Sequence, residues 1–137
     1  MTDTLTGACG CGAVTFAIDA PPVGATYCHC TRCQRRSGTA SSAQVMLAPD
    51  SFRVLRGADS LAAWRPADGF EKWFCSRCGS ALFSRNPADH EQVAVRYGAL
   101  DQDPGVRPTL RQFVTYAAPW EPIPDDGLPR YPERRPS

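Results

Sequence analysis

The sequence predicts a mainly β, single-domain fold built from short antiparallel strands, and three observations predict it. Val14, Phe16 and Ile18 alternate with Ala13, Thr15 and Ala17, the period-two signal of a half-buried strand. The later apolar runs are short, and turn residues bound each of them. No long helical period occurs in the 137 residues, a length that suits one domain with one core.

Pro21-Pro22 closes the first strand. Gln34 to Gly38 has room for at most a short helical turn before Gly38 stops it. Candidate strands follow at Ala43 to Leu47, Phe52 to Leu55, Leu61 to Trp64 and Phe70 to Phe74. The segments between them, Ala48-Pro49-Asp50, Arg56-Gly57-Ala58-Asp59 and Pro66-Ala67-Asp68-Gly69, are turn sequences. Ala81 to Ser84, Gln92 to Tyr97 and Arg111 to Tyr116 read as three further strands. Residues 119–137 hold six of the 13 prolines, so an extended tail is expected, with Trp120, Ile123 and Leu128 as candidates to dock on the domain. The domain is placed at residues 1–132, and residues 133–137 are expected to fray.

Seven cysteines fall into three clusters: Cys9-x-Cys11, Cys28-x-Cys30-x-x-Cys33 and Cys75-x-x-Cys78. The odd count argues against complete disulfide pairing, and such close spacings are those of metal ligands. Neither usual ferredoxin spacing is present, which disfavours an iron–sulfur cluster. A structural zinc takes four protein ligands, whereas a zinc that does chemistry usually keeps three, so seven thiols fit one closed site and one open site. Cys75 and Cys78 should form the tip of a hairpin, a knuckle in which Gly79 takes a positive φ and turns backbone N–H groups toward the sulfurs. Gly12 after Cys11 invites the same reading. Cys9 and Cys11 are the natural partners of that knuckle, and joining them would close a loop of about sixty residues. Cys28, Cys30 and Cys33 are then left to hold a second ion. A second closed site, completed by His90 or by His29, is the alternative reading of this triple.

Charge indicates what an open three-cysteine zinc is suited to. Zinc with three thiolates carries about −1, so it polarises water weakly and accepts a soft ligand, such as a thiol bound as thiolate. Arg32, Arg35 and Arg36 lie beside the triple and could offset its charge or hold the carboxylates of a peptide-like thiol such as glutathione; solvated surface charge is the alternative. His29 could relay a proton or simply pack against backbone. The aromatics Trp64, Trp73, Phe74 and Phe83 read as core rather than pocket wall.

With 15 Lys and Arg against 14 Asp and Glu, the net charge of +1 supplies no field for a nucleic-acid or acidic-membrane partner. The first residues show no basic, then apolar, leader, and no run approaches the roughly 20 apolar residues of a membrane span. A cytoplasmic protein is expected.

Taken together, Gly7-Ala8-Cys9-Gly10-Cys11-Gly12-Ala13-Val14, Tyr27-Cys28-His29-Cys30-Thr31-Arg32-Cys33 with Ser37-Gly38, Phe74-Cys75-Ser76-Arg77-Cys78-Gly79-Ser80, and the tail Ala118-Pro119-Trp120 with Asp126-Gly127-Leu128-Pro129 resemble the glutathione-dependent formaldehyde-activating family, also called the centromere-protein-V (CENP-V)/GFA family. The resemblance implies a β-tent fold with a structural zinc on Cys9, Cys11, Cys75 and Cys78 and a catalytic-type zinc on Cys28, Cys30 and Cys33. It implies a carbon–sulfur lyase that adds a thiol such as glutathione to an aldehyde such as formaldehyde, giving S-hydroxymethylglutathione. A non-catalytic module that binds a small thiol, or a structural two-zinc scaffold, is the alternative.

Overall fold

The computed structural model describes residues 4–136 and contains ten short strands and one seven-residue helix among them. In chain order these are β1 (Leu5–Ala8), β2 (Thr15–Ile18), β3 (Gly24–Cys28), α1 (Thr31–Ser37), β4 (Ser42–Met46), β5 (Phe52–Arg56), β6 (Leu61–Trp64), β7 (Glu71–Cys75), β8 (Ala81–Asn86), β9 (Asp89–Arg96) and β10 (Arg111–Gln112). One sheet has the order β1-β2-β5, and the other has the order β10-β3-β4-β9-β8-β7-β6. Every pairing is antiparallel except β10 with β3.

The core lies between the two sheets. Val14, and Phe16 and Ile18 of β2, are at most 1% exposed, and Ala17 at 1% is buried as well, so β2 is covered on both faces rather than half-buried. Phe52 of β5 bridges the layers, with its ring 5.3 Å from Phe16 and 4.6 Å from Phe83. Trp73 stacks on the far side of Phe83 at 5.7 Å. In the large sheet Val45, Val95, Phe83 and Trp73 follow one another across four strands in register, so one face of that sheet is apolar.

Its other face is different in kind. Period-two alternation puts Cys28 beside Ser42, Thr26 beside Gln44 and Arg96, and Ala94 beside Ser84 and Lys72. Helix α1 covers part of this face, with Arg32 over the Trp64 ring at 5.4 Å and Arg36 over Phe74 at 5.8 Å. Cys30 caps the helix N-terminus, and Gly38, at φ 71°, ends it through its N–H to the Gln34 carbonyl.

Strands β1 and β3 are additions to the sequence reading, because Leu5–Ala8 and Gly24–Cys28 carry small or polar residues that show little alternation. The strand expected from Arg111 to Tyr116 is cut to two residues. Phe113 adopts a left-handed φ of 58°, and Val114–Tyr116 form a 3₁₀ turn. The proline-rich tail runs alongside that short strand: Arg111 N–H donates to the Pro129 carbonyl and Tyr131 N–H to the Arg111 carbonyl. Phe113 N–H bonds the Glu133 carbonyl. Trp120 does not dock, being 66% exposed, whereas Ile123 and Leu128 are half-buried.

Gly7 of β1 lies opposite Phe16 and carries no Cβ because the Phe16 ring and the Ala99 carbonyl occupy that space. Gly7→Ala is expected to lose about 1–3 kcal/mol by overpacking. Urea unfolding reads this directly, and an unchanged midpoint would mean that the ring does not lie over β1.

Candidate functional site

Two groups of cysteine sulfurs converge, and backbone turns position the first. Cys75 ends β7, its N–H bonds the Ser80 carbonyl, and Gly79 at φ 79° donates its N–H back to the Cys75 carbonyl. Cys9 follows β1, Gly12 at φ 77° bonds the Cys9 carbonyl, and Val14 N–H points at the Cys9 sulfur from 3.2 Å. Both glycines do what the knuckle reading requires. Gly10 N–H reaches the Ser80 hydroxyl at 2.9 Å, which locks one turn to the other.

The four sulfurs of Cys9, Cys11, Cys75 and Cys78 lie within 4.8 Å of one another, with Cys9 and Cys11 3.6 Å apart and Cys11 and Cys75 3.9 Å apart. A tetrahedron with zinc–sulfur bonds of about 2.3 Å has edges of about 3.8 Å. The donor set and its spacing therefore fit a tetrahedral thiophilic ion. The Ser80 hydroxyl and backbone N–H donate toward Cys78 and hold its thiol down to about 5, as a thiolate ligand requires.

The second group is set by the junction of β3 with α1. Cys28 is the last residue of β3, Cys30 is the helix cap with its sulfur 3.2 Å from Cys33 N–H, and Cys33 is one turn into the helix. Their three sulfurs also lie within 4.8 Å of one another. Among the described residues no further Cys, His, Asp or Glu joins this group. Hydrogen bonds from the Cys28 and Cys30 thiols, with smaller help from Ser42 and Arg96, hold Cys33 far below the usual thiol range. The same sharing pushes Cys28 up, so the three thiols titrate as one coupled group.

His29, between two of these cysteines, is 3% exposed and committed to structure. Arg111 Nη1 lies 3.2 Å from His29 Nε2, and because a guanidinium only donates, Nε2 must be the acceptor. Burial and then the Arg111 charge lower its pKa, which keeps the ring neutral. Arg111 in turn stacks on Tyr27 at 4.2 Å and bonds Asp126 of the tail at 2.8 Å. His90 is exposed at the β8–β9 turn and belongs to neither sulfur group.

The three arginines beside the triple part company. Arg32 pairs with Asp68 at 3.0 Å, Arg35 is exposed, and Arg36 is half-buried and lines a cavity of about 790 Å³. That cavity lies between the Cys9–Gly79 side and α1, and Ser42, Leu82 and Arg96 line it as well. Ser42, Lys72 and Arg96 sit near the triple without having been anticipated. Strand register puts Ser42 beside Cys28, whereas Lys72 lies four strands away and comes near through α1, which crosses the sheet to β6 and β7; the available sequence signal was that Lys72 is the only lysine in the chain.

A mainly β domain with two cysteine groups able to hold metal ions is the class these features define. The sequence profile of the glutathione-dependent formaldehyde-activating enzyme family matches residues 4–116, and the chain belongs to that family. A Halomonas elongata protein provisionally named a glutathione-dependent formaldehyde-activating enzyme is 33% identical over 105 residues, covering 72% of this chain and 67% of that protein. An Aspergillus flavus protein of the same provisional name is 29% identical over 77 residues, which is 56% of this chain and only 40% of the fungal one. The crystal structure of a Rhodobacter sphaeroides protein superposes with a TM-score of 0.59 at 24% identity, covering 92% of this chain and 98% of that one, and so shares the fold. No helix among the described residues is long and apolar enough to cross a membrane.

The Arg111–Asp126 pair anchors the tail next to His29 and has a pH signature. Arg111 holds the Asp126 carboxyl below its ordinary value, so the stabilisation is complete above about pH 4 and is lost as pH falls through the lower folded value. Asp126→Asn should flatten the fall in thermal midpoint as pH drops below about 4. An identical pH profile in the variant would show that the pair does not contribute.

Proposed function

We propose that the chain carries two zinc ions, a structural one on Cys9, Cys11, Cys75 and Cys78 and a working one on Cys28, Cys30 and Cys33. The working site would receive a small thiol and join it to an aldehyde, or cleave the adduct, as a carbon–sulfur lyase. The three-sulfur group with no fourth protein donor among the described residues carries this reading. Zinc held there would leave one position for a soft ligand and favour its thiolate form near neutral pH. In the reaction the thiol gives up its proton, its sulfur lone pair forms a bond to the carbonyl carbon, and the C=O π pair moves to oxygen, which takes a proton. The step is redox-neutral and reversible.

The chain's own residues divide the work. Cys28, Cys30 and Cys33 would hold the ion at the base of α1, and Ser42 and Arg96 steady the charge on Cys33. Arg36 is the one of the three neighbouring arginines that reaches the cavity, so it is the one carried forward as a substrate contact. His29 is assigned to fixing the tail, since Arg111 occupies its Nε2. Glutathione and formaldehyde, the compounds in the family's name, are the first thiol and aldehyde to test. The engagement of His29 also favours a second reading, a module that captures a thiol without turning it over, because it removes the nearest general acid or base.

Zinc analysis together with calorimetric titration of glutathione tests the proposal. Wild type should hold two zinc ions and bind the thiol, and Cys30→Ser should keep the structural zinc and lose thiol binding. Two ions with no binding of glutathione or any other small thiol would leave only a structural scaffold. Where thiol binds, adduct formation with formaldehyde no faster than the spontaneous rate would select the capture module.

A further inference from the structure

Burial splits the four-sulfur group into two pairs. Cys9 is 6% exposed and Cys75 is 0% exposed, whereas Cys11 and Cys78 are both open to solvent. Each pair takes one sulfur from each turn. Cys11 stands in the turn after β1 and Cys78 in the turn after β7, so the exposed pair spans the same junction between the sheets as the whole group. The triple is protected by comparison, with Cys28 and Cys33 buried and Cys30 half-buried. A reagent arriving from solution therefore meets Cys11 and Cys78 before the other five cysteines.

The two exposed sulfurs are also within reach of each other. All four sulfurs of the group lie within 4.8 Å, and the Cys11 N–H is directed at the Cys78 sulfur. Gly10 packs against that sulfur, since a Cβ on Gly10 would stand 3.9 Å from it. A disulfide has a sulfur–sulfur distance of about 2.05 Å, so side-chain rotation has only a short gap to close. The turns that carry the pair are shaped by hydrogen bonds of their own. Gly10 N–H donates to the Ser80 hydroxyl at 2.9 Å, and Arg56 holds the Gly12 carbonyl at 3.1 Å. Ser76 donates both its N–H and its hydroxyl to the Ser60 carbonyl, each at 2.7 Å. The turns thus keep facing each other while the sulfurs change partners. A disulfide inside either turn, Cys9–Cys11 or Cys75–Cys78, would need a buried sulfur, and exposure favours the bond between turns.

We propose that Cys11 and Cys78 are a site of reversible oxidation that closes to a disulfide when the protein meets a peroxide; what the closure releases rests on the structural-zinc reading above. One thiolate attacks the peroxide O–O bond and becomes a sulfenic acid as hydroxide leaves. The other thiolate displaces a second hydroxide from that sulfur and forms the S–S bond. Two electrons pass from the sulfurs to the peroxide, and two protons turn the hydroxides into water. Cys9 and Cys75 alone are two ligands short of a tetrahedral zinc site, so they take up protons and the ion is lost. The S–S bond joins the same two turns that the ion joined, so the long loop stays closed. Oxidation removes the metal without separating the sheets, and a thiol reductant reverses it.

Cys30→Ser, which keeps only the structural ion, is treated with hydrogen peroxide beside wild type. A chromogenic chelator reads zinc release, and peptide mapping without reductant reads the disulfides. In both proteins one zinc per chain should leave as the Cys11–Cys78 cross-linked peptide appears, and dithiothreitol with added zinc should restore the metal content. The oxidised protein should also melt at a higher temperature than reduced protein stripped by chelator, because the loop is still closed. Zinc retained with no disulfide overturns the switch and leaves the structural-zinc reading intact. A Cys11–Cys78 disulfide formed in protein that held no ion on the four sulfurs keeps the oxidation site and removes the zinc reading. A Cys9–Cys11 or Cys75–Cys78 disulfide overturns the assignment to the exposed pair. A melt no higher than that of the stripped protein overturns the exchange of one clip for the other.

Discussion

Four sulfur atoms gathered across 64 residues of chain, from Cys11 to Cys75, are the constraint on which the arrangement of the two sheets depends. Cys9 and Cys11 extend the small sheet, and Cys75 and Cys78 belong to the large one. Between them the core is modest and rests on a short aromatic chain, Phe16 to Phe52 to Phe83 to Trp73. An ion binding the folded chain but not the unfolded one adds its binding free energy to folding, and clipping a long loop makes that contribution larger. The Gly10 to Ser80 hydrogen bond already aligns the two turns, so the ligands are arranged by the backbone before any ion arrives.

With the apolar face of the large sheet spent on that core, the opposite face is free to be polar. Thr26, Ser42, Gln44, Ser84, Lys72 and Arg96 would be misplaced in a sheet whose only task was to fold. Helix α1 covers part of this face, and Ser42 and Arg96 open onto the cavity. The helix meets this face through Arg36, over the Phe74 ring, and Cys28 lies beside Ser42 across the β3–β4 pair.

Much of this was legible in the sequence, for identifiable reasons. The knuckle was readable because only two residues separate Cys75 from Cys78 and because Gly79 and Gly12, both of which take positive φ, mark the backbone turns. The strands from Phe52 to Ser84 were readable because turn residues delimit them, and Leu61–Trp64 falls where its pattern put it. Strand β3 was hidden because Gly24–Cys28 is half-buried or buried at every position and shows no alternation. The strand after Arg111 was over-read because periodicity cannot report the left-handed turn at Phe113. Lys72 was missed because 39 residues separate it from Cys33 in sequence, and only the passage of α1 across the sheet to β6 and β7 puts the helix and that lysine on one face. His29 was the reverse case, chemically suggestive in sequence and then engaged by Arg111, a partner 82 residues away.

X-ray absorption at the zinc edge, on the fully loaded protein before and after a saturating small thiol, tests the central claim most directly. The account predicts seven protein sulfurs shared between two ions, one light-atom ligand completing the second, no imidazole signature, and one additional sulfur after the thiol is added. Imidazole scattering, or a sulfur number that does not change on saturation with thiol, would contradict it.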